Sequence, residues 1–409
     1  MGQQAAVGSR LNTTHVKTID YVRGFAIFLV LFNHCLWSVH GTQSLVGWHG
    51  WIRCQLPTSW AEVILFPLQF AKVGVAVFFV VSGFCIHVSF MGDKDWKNFF
   101  IRRFFRIYPP YFFAVILFGC LLPNWGGLVN LFDYRGWVHL LPHLFLIHNI
   151  NPKTYYSINS SFWSLAIEAQ LYLLYPILLF LVAKFNWRRT ICLVAVCEVM
   201  LRSISSMAEN FAIIPSSLAW VAGALPLTYW CSWSLGAWVA DAFLRRQPLP
   251  LRSQSIPFWV LLVLLTVFIR PLDNFRFLLA SVLTAIVLSK SLSGTSLGLH
   301  LSSQAKNFLA LLGKWSYGTY LVHQPLLFLV SWILISEATR VFGWNLGSAT
   351  DFGHSGLGLR FLISLIALLI VMPFCVIWYY AFERPSITAG KRFIAWLQPV
   401  KSSPTRVIK

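Results

Sequence analysis

Long apolar runs dominate the chain. A helix rises about 1.5 Å per residue and a bilayer's hydrocarbon layer is about 30 Å thick, so a run of about 20 apolar residues is enough to cross it. Ten stretches come close to that length, at approximately 19–39, 63–91, 99–122, 164–183, 189–206, 218–243, 255–269, 275–290, 315–336 and 358–380. They predict an all-α, polytopic membrane protein of about ten transmembrane helices. The runs at 255–269 and 275–290 are short, and the proline between them fits a tilted, broken or re-entrant pair. No internal repeat is visible.

Composition narrows the class. Of 409 residues only 11% are charged and 57% are hydrophobic, with a mean hydropathy of +0.67, whereas a soluble domain carries about 25% charged residues. These figures exclude a soluble globular domain, a disordered chain and, despite the +19 net charge, a nucleic-acid-binding domain. The surplus charge reads as topology. With the N-terminus inside, 22 of the 32 Lys and Arg fall on the cytoplasmic side and 8 outside, while Arg23 and Lys72 lie in or at the edge of spans. That segregation is the positive-inside pattern, and it places both termini in the cytoplasm.

The first 18 residues are polar, without the short apolar region and small-residue cleavage site of a signal peptide, so the first span is expected to be retained. The expected organisation is a cytoplasmic segment 1–18, a membrane domain 19–380 and a cytoplasmic basic tail 381–409. Eight cysteines are scattered, mostly within spans and with no CxxC pair. They read as packing residues, and neither a disulfide framework nor a metal site is indicated.

Ionisable residues inside spans are costly and mark function unless a neighbour compensates them. Glu198 with Arg202, Asp241 with Arg245 and Asp20 with Arg23 each have a same-face helical partner. Glu168, one turn into the fourth span, has no basic residue within four positions. His34 lies eleven residues after Arg23, which is about 16 Å along a helix and nearly the same face. One helix therefore carries a cation near its cytoplasmic mouth and an imidazole deep in the membrane.

Arg102, Arg103 and Arg106 share a face at the inner end of the third span. Guanidinium groups there suit bidentate phosphate binding or serve as membrane anchors. His139, His143 and His148 have partial metal-ligand spacing, but Pro142 disturbs the helix and no carboxylate is close, so no metal is assigned.

Along almost its whole length the chain resembles the acyltransferase 3 family of integral-membrane acyltransferases. Arg23 and His34 within KTIDYVRGFAIFLVLFNH match its Arg, ten residues, His arrangement. GVAVFFVVSGFCI (74–86, with Ser82) is similar to its second-span signature, and RRFFRIYPPY to its basic motif. FWSLAIEAQLYLLYP carries Trp163, Ser164 and Glu168 in the family's Trp-Ser-Leu-x-x-Glu motif, while LGKWSYGTYLVHQPLL and YYAFERP resemble its late motifs. One departure is Ala76, where many members have an acidic residue. A second is the absence of the C-terminal SGNH esterase-like domain of some relatives, so the membrane domain is expected to complete the reaction alone.

The resemblance implies transfer of an acyl group, usually acetyl, from cytoplasmic acyl-CoA to a hydroxyl of a glycan or lipid-linked sugar at the membrane or its outer face. The donor is a substrate and no permanently bound cofactor is expected. Membrane lipids are the other partners, nucleic acid is not one, and the bacterial inner membrane is the expected location.

On this reading Arg23, Arg103 and Arg106 hold acyl-CoA. His34 is the general base, an acyl-His34 intermediate being the alternative and Cys35 a third choice of nucleophile. Glu168 is its orienting or charge-stabilising partner, and Asp20, Ser82, Trp163, Ser164, Tyr317 and His323 support the site. The rival readings are the same chemistry on a lipid, macrolide or peptide acceptor, and a ten-span transporter.

Overall fold

The computed structural model describes residues 13–40, 52, 60–121, 134–211, 215–295, 301–343 and 357–398. Among them every regular element is helical, and β-structure is limited to an isolated bridge between Ile52 and Ile269. The helices are α1 (Thr13–His40), α2 (Trp60–Leu65), α3 (Gly74–Asp93), α4 (Trp96–Ile116), α5 (Tyr134–Leu144), α6 (Pro152–Tyr155) and α7 (Phe162–Phe211). They continue with α8 (Ser216–Ala224), α9 (Trp230–Leu244), α10 (Ile256–Phe268), α11 (Arg276–Leu292), α12 (Ser303–Phe342), α13 (Leu357–Trp378) and α14 (Arg384–Leu397).

The all-α class agrees with the sequence. Among the described residues six segments are long and apolar enough to cross a membrane: Lys17–Val39, Trp60–Asp93, Phe162–Asn210, Arg270–Leu292, Ser303–Phe342 and Leu357–Leu397. The stretches expected at 164–183 and 189–206 fall in one of these. The stretch at 99–122 begins on α4, which carries Lys97, Arg102, Arg103 and Arg106 in its first half. The one at 218–243 is cut at Leu225 and Pro226 into α8 and α9, and the one at 255–269 is a 13-residue helix.

Asn186 interrupts α7 with φ 65° and ψ 168°, a positive φ that asparagine tolerates better than most residues. On one side of the break Gln170 bonds Asn149, which donates to the Ala224 carbonyl of α8. On the other side Ser205 donates to the Ala219 carbonyl of the same helix. The two halves of α7 therefore fold back on each other, with Asn186 at one end of the molecule and Phe162 and Phe211 towards the other.

Two helix crossings are closed by glycine. A Cβ on Gly24 would lie 1.9 Å from the Leu309 carbonyl oxygen, and one on Gly313 would lie 2.1 Å from that of Asp20. Each glycine thus meets the partner helix one turn back, so α1 and α12 run parallel with Gly24 level with Gly313. Gly83 on α3 and Gly236 on α9 interlock in the same way, against the carbonyls of Trp233 and Val80. In lipid, where apolar surface alone does not drive helices together, such small-residue contacts let backbones approach and dispersion hold them.

The buried apolar residues form two large groups, one around α1, α12 and α13 and one around α3, α7 and α9. Val75, Phe78 and Tyr317 pack against both. Away from this seam, the His143 and His148 rings stack at 3.9 Å, and burial pushes the His143 pKa down to about 4.

The crossings carry a stability prediction. Gly313→Ala places a methyl against backbone that no rotamer change can clear, and should cost roughly 1–3 kcal/mol. Gly92→Ala, whose Cβ would meet nothing within 4 Å, should be neutral by comparison. Thermal unfolding of the two variants in detergent checks this, and equal midpoints would remove the crossing from the argument.

Candidate functional site

At the seam between the two cores lies a cavity of about 380 Å³. Its walls come from α1 (Arg23), α3 (Ser82), α4 (Arg103, Arg106), α7 (Ser164, Glu168, Tyr172), α12 (Tyr317, Tyr320) and α14 (Lys391). Seven of the residues singled out in the sequence, Arg23, Ser82, Arg103, Arg106, Ser164, Glu168 and Tyr317, therefore share one space.

One end is basic, with Arg23, Arg102, Arg103, Arg106 and Lys391 among the lining residues and Glu168 the one carboxylate. The arginines of α4 differ in what they touch. Arg102 forms a two-toothed pair with Asp93, at 2.6 and 3.0 Å. Arg106 lies 2.7 Å from the fully buried Glu383 and 5.6 Å from the centre of the Tyr317 ring. Arg103 donates only to the Ser89 hydroxyl, at 2.9 Å. Among the described residues Arg23, Arg103 and Lys391 form no ion pair, so their charge is available to a ligand. The Asp20–Arg23 pair expected from spacing does not form, whereas Glu198–Arg202 and Asp241–Arg245 do, each at 2.8 Å.

Part of the segment expected as a cytoplasmic tail, residues 384–397, is a helix packed on α4. A π-turn at Tyr379–Glu383 carries the chain into α14, where Ser386 donates to the Phe105 carbonyl and Gly390 leaves room for the Phe105 ring. This packing brings Lys391 to the cavity. Residues 1–12 and 399–409 of the two expected cytoplasmic segments lie outside the described residues.

Midway along the cavity, Glu168 accepts hydrogen bonds from Ser82 at 2.5 Å and from Tyr172 at 2.6 Å. Trp233 in turn donates to Ser82 at 3.3 Å. At the far end Ser164 donates to the Ser161 carbonyl, leaving its oxygen to accept from the Tyr320 hydroxyl at 2.6 Å. The Tyr320 ring stands 5.9 Å from that of His323.

His34 and His323 meet immediately beyond. Nδ1 of His34 lies 2.6 Å from Nε2 of His323, and Nδ1 of His323 lies 2.9 Å from the Thr319 carbonyl and 3.1 Å from that of Tyr320. A carbonyl only accepts, so Nδ1 of His323 carries a proton and Nε2 of the neutral ring carries a lone pair. His34 must then donate through Nδ1, and its Nε2 is left with a free lone pair. Two contacts between backbone and ring thus fix both tautomers and turn His34 into a proton acceptor at a defined atom.

The partner of His34 is therefore His323 and not Glu168. Cys35 points elsewhere, with its thiol 3.9 Å from the Ser364 carbonyl. Trp163 packs outside the cavity, stacking on Tyr155 at 5.9 Å and meeting Tyr229 at 5.7 Å. Sequence reasoning missed Tyr172, although its spacing of four from Glu168 was a usable signal. It also missed Glu383 and Tyr320, whose partners come from distant helices.

The acyltransferase 3 family model, an acyltransferase domain, matches residues 16–380. The chain is 25% identical over 229 residues to nodulation protein 10 of Rhizobium leguminosarum bv. viciae, covering 53% of this chain and 57% of that protein. It is 26% identical over 306 residues to acyltransferase MdmB of Streptomyces mycarofaciens, covering 70% of this chain and 74% of MdmB. It is also 26% identical over 198 residues to peptidoglycan O-acetyltransferase OatA of Listeria monocytogenes, covering 44% of this chain and 26% of OatA. The chain thus spans little more than half of the first of these relatives and about a quarter of the third. No solved structure matches it significantly.

The two inner arginines should separate in a stability measurement. Arg106→Gln strands the buried Glu383 carboxylate and should cost roughly 3–5 kcal/mol, whereas Arg103→Gln loses one hydroxyl contact and should cost no more than about 1.5 kcal/mol. Adding Glu383→Gln to Arg106→Gln should recover most of the loss. Equal losses in the two single variants, read by chemical unfolding in detergent, would refute the distinction.

Proposed function

The chain belongs to the acyltransferase 3 family, and on that premise we propose that it moves an acyl group, acetyl first among candidates, from cytoplasmic acyl-CoA to a hydroxyl of a glycan or glycolipid at the membrane or its outer face. The observation that carries this reading is the directed hydrogen-bond chain from the Thr319 carbonyl through His323 to His34. It prepares a neutral imidazole with an open Nε2, as a general base requires.

The donor fits the cavity from its basic end. Arg23, Arg103 and Lys391 suit the phosphates of the nucleotide, with guanidinium groups able to bind two oxygens at once. The Glu168 carboxylate further in repels phosphate and so confines the charged part of the donor to that end. The pantetheine arm then follows the wall made by Ser82, Tyr172 and Tyr320. From Arg23 to His34 the rise along α1 is about 16 Å, which matches an extended arm in scale.

In the transfer step Nε2 of His34 takes the proton of the acceptor hydroxyl while its oxygen attacks the thioester carbonyl. The tetrahedral adduct collapses, the carbon–sulfur bond breaks, and the CoA thiolate recovers the proton from His34. The transient imidazolium is stabilised through His323, whose own proton faces two carbonyl dipoles. Products are the acyl ester and free CoA, and the scheme needs no resident cofactor. A bacterial inner membrane, with acyl-CoA on one side and the acceptor on the other, is the setting it requires.

His34→Ala should abolish transfer from labelled acetyl-CoA while donor binding persists. His323→Ala leaves the base but frees its tautomer, and transfer should fall by about 10²–10⁴-fold with little change in donor KM. Arg103→Ala should instead raise donor KM, in a manner that weakens with added salt. Near-normal product formation by His34→Ala would sink the mechanism, and an unchanged, salt-insensitive donor KM in Arg103→Ala would sink the donor site.

A further inference from the structure

A second cavity, of about 500 Å³, lies at the opposite end of the molecule from the basic mouth. The break at Asn186 marks the basic end. There Trp187 donates to Asp241 at 2.8 Å, and Asp241 also meets His87 on α3, the helix that ends at Asp93 beside Arg102. The second cavity draws on Arg202, Ser205 and Glu209, which lie 16 or more residues beyond that break, about 24 Å or more along the returning helix.

Its walls combine two kinds of group. Tyr155, Tyr156, Trp220 and Tyr229 supply aromatic rings, and Glu209 and Asn274 supply polar atoms. Arg202 also lines it, but its charge is already used. It bonds Glu198 at 3.0 and 2.8 Å and the carbonyls of Asn274 and Thr228 at 2.8 Å each. It therefore fixes the floor of the cavity, with four of its N–H groups bonded and its charge paired with Glu198. Asn274 donates to one oxygen of Glu209 at 3.0 Å, which leaves the other carboxylate oxygen and the side-chain Oδ1 of Asn274 able to accept. Trp220 contributes its ring to the wall, while its indole N–H is buried and has no acceptor among the described residues.

Ring faces with a negative quadrupole attract polarised C–H groups, and a rim of acceptors matches hydroxyls. A phosphate would face Glu209 without a free cation, and an acyl chain would bury Glu209 and Asn274 unsatisfied. A neutral, hydroxyl-rich ring satisfies both sets of groups. We propose that this cavity is a carbohydrate-binding cleft and that it serves as the acceptor subsite of the transferase.

The connection to the reaction centre is a single aromatic wall. Tyr155 and Tyr229 both pack on Trp163, and the next residue, Ser164, lines the first cavity and bonds Tyr320. A sugar held in the cleft is thus separated from the donor cavity by the first turn of α7. The acceptor assignment rests on the acyl-transfer reading, whereas sugar binding in the cleft does not.

The test uses the full chain in lipid nanodiscs with chitotriose and maltotriose as probes, read by saturation-transfer NMR and tryptophan fluorescence. At least one of these neutral oligosaccharides should bind, and Trp220→Ala should weaken it by about tenfold or more. Glu209→Gln, an exposed and nearly isosteric change that keeps the fold, should weaken it as well. His34→Ala should bind the sugar like the parent. In the transfer assay Trp220→Ala and Glu209→Gln should raise the KM for the sugar acceptor and leave donor KM unchanged.

Failure of both oligosaccharides to bind, or binding that neither variant weakens, overturns the cleft while leaving His34-dependent transfer standing. Binding that both variants weaken, with acceptor KM unmoved, overturns the acceptor assignment. Binding with no acyl transfer at all overturns the reading on which that assignment rests and leaves the cleft itself in place.

Discussion

The close, parallel contact of α1 with α12 is the constraint on which the site depends. Gly24 and Gly313 let the two backbones touch, and the offset between them, 289 residues, is the same offset that relates His34 to His323 ten residues further along. A helix turns about 100° per residue, so ten residues bring each histidine to within a fraction of a turn of the face its glycine occupies. The crossing therefore acts as a register. It delivers two imidazoles from opposite ends of the sequence to hydrogen-bonding distance, which side-chain preference alone could not do.

That register matters because an imidazole is chemically ambiguous until its tautomer is chosen. In water the choice costs little and is made by solvent. In a buried site it must be made by structure, and here the backbone of α12 makes it. The Thr319 and Tyr320 carbonyls stand one turn before His323 on its own helix, so the proton position on His323 is a consequence of helix geometry. The proton position on His34 follows from the register. The same helix contributes Tyr317 and Tyr320 to the cavity wall, so α12 sets both the His34 tautomer and part of that wall.

How much of this the sequence discloses depends on the range of the interaction. Local pairs are legible: Glu198 with Arg202 and Asp241 with Arg245 follow from a spacing of four, and both form. Unpaired groups are legible too, since Glu168 and His34 stand out by having no neighbour to compensate them. What replaces the missing neighbour is not legible. Glu168 is held by Ser82, which lies 86 residues away, as well as by Tyr172 on its own helix. Arg106 and Glu383 meet only because α14 packs on α4, so one arginine of an apparently uniform cluster becomes structural while Arg103 beside it stays available. Helix boundaries are hidden for a related reason. Hydropathy registers apolar length, but the breaks at Asn186 and Pro226 and the charges opening α4 decide where a helix runs uninterrupted.

The distribution of charge gives the molecule a direction. At one end free cations line the cavity, and two carboxylates, Asp93 and Glu383, are already paired with Arg102 and Arg106. At the other end the buried cation Arg202 is paired with Glu198, and the free polar atoms are acceptors on Glu209 and Asn274. An anionic ligand is thus favoured at the first end and a neutral polar one at the second, with the His34–His323 pair and the Trp163 wall between them. Since neither end has the free groups to bind the other's ligand well, exchange of the two substrates would carry an electrostatic and desolvation penalty at both sites. The contrast between the two cavities then follows from which ion pairs are closed, and not from the sign of the net charge.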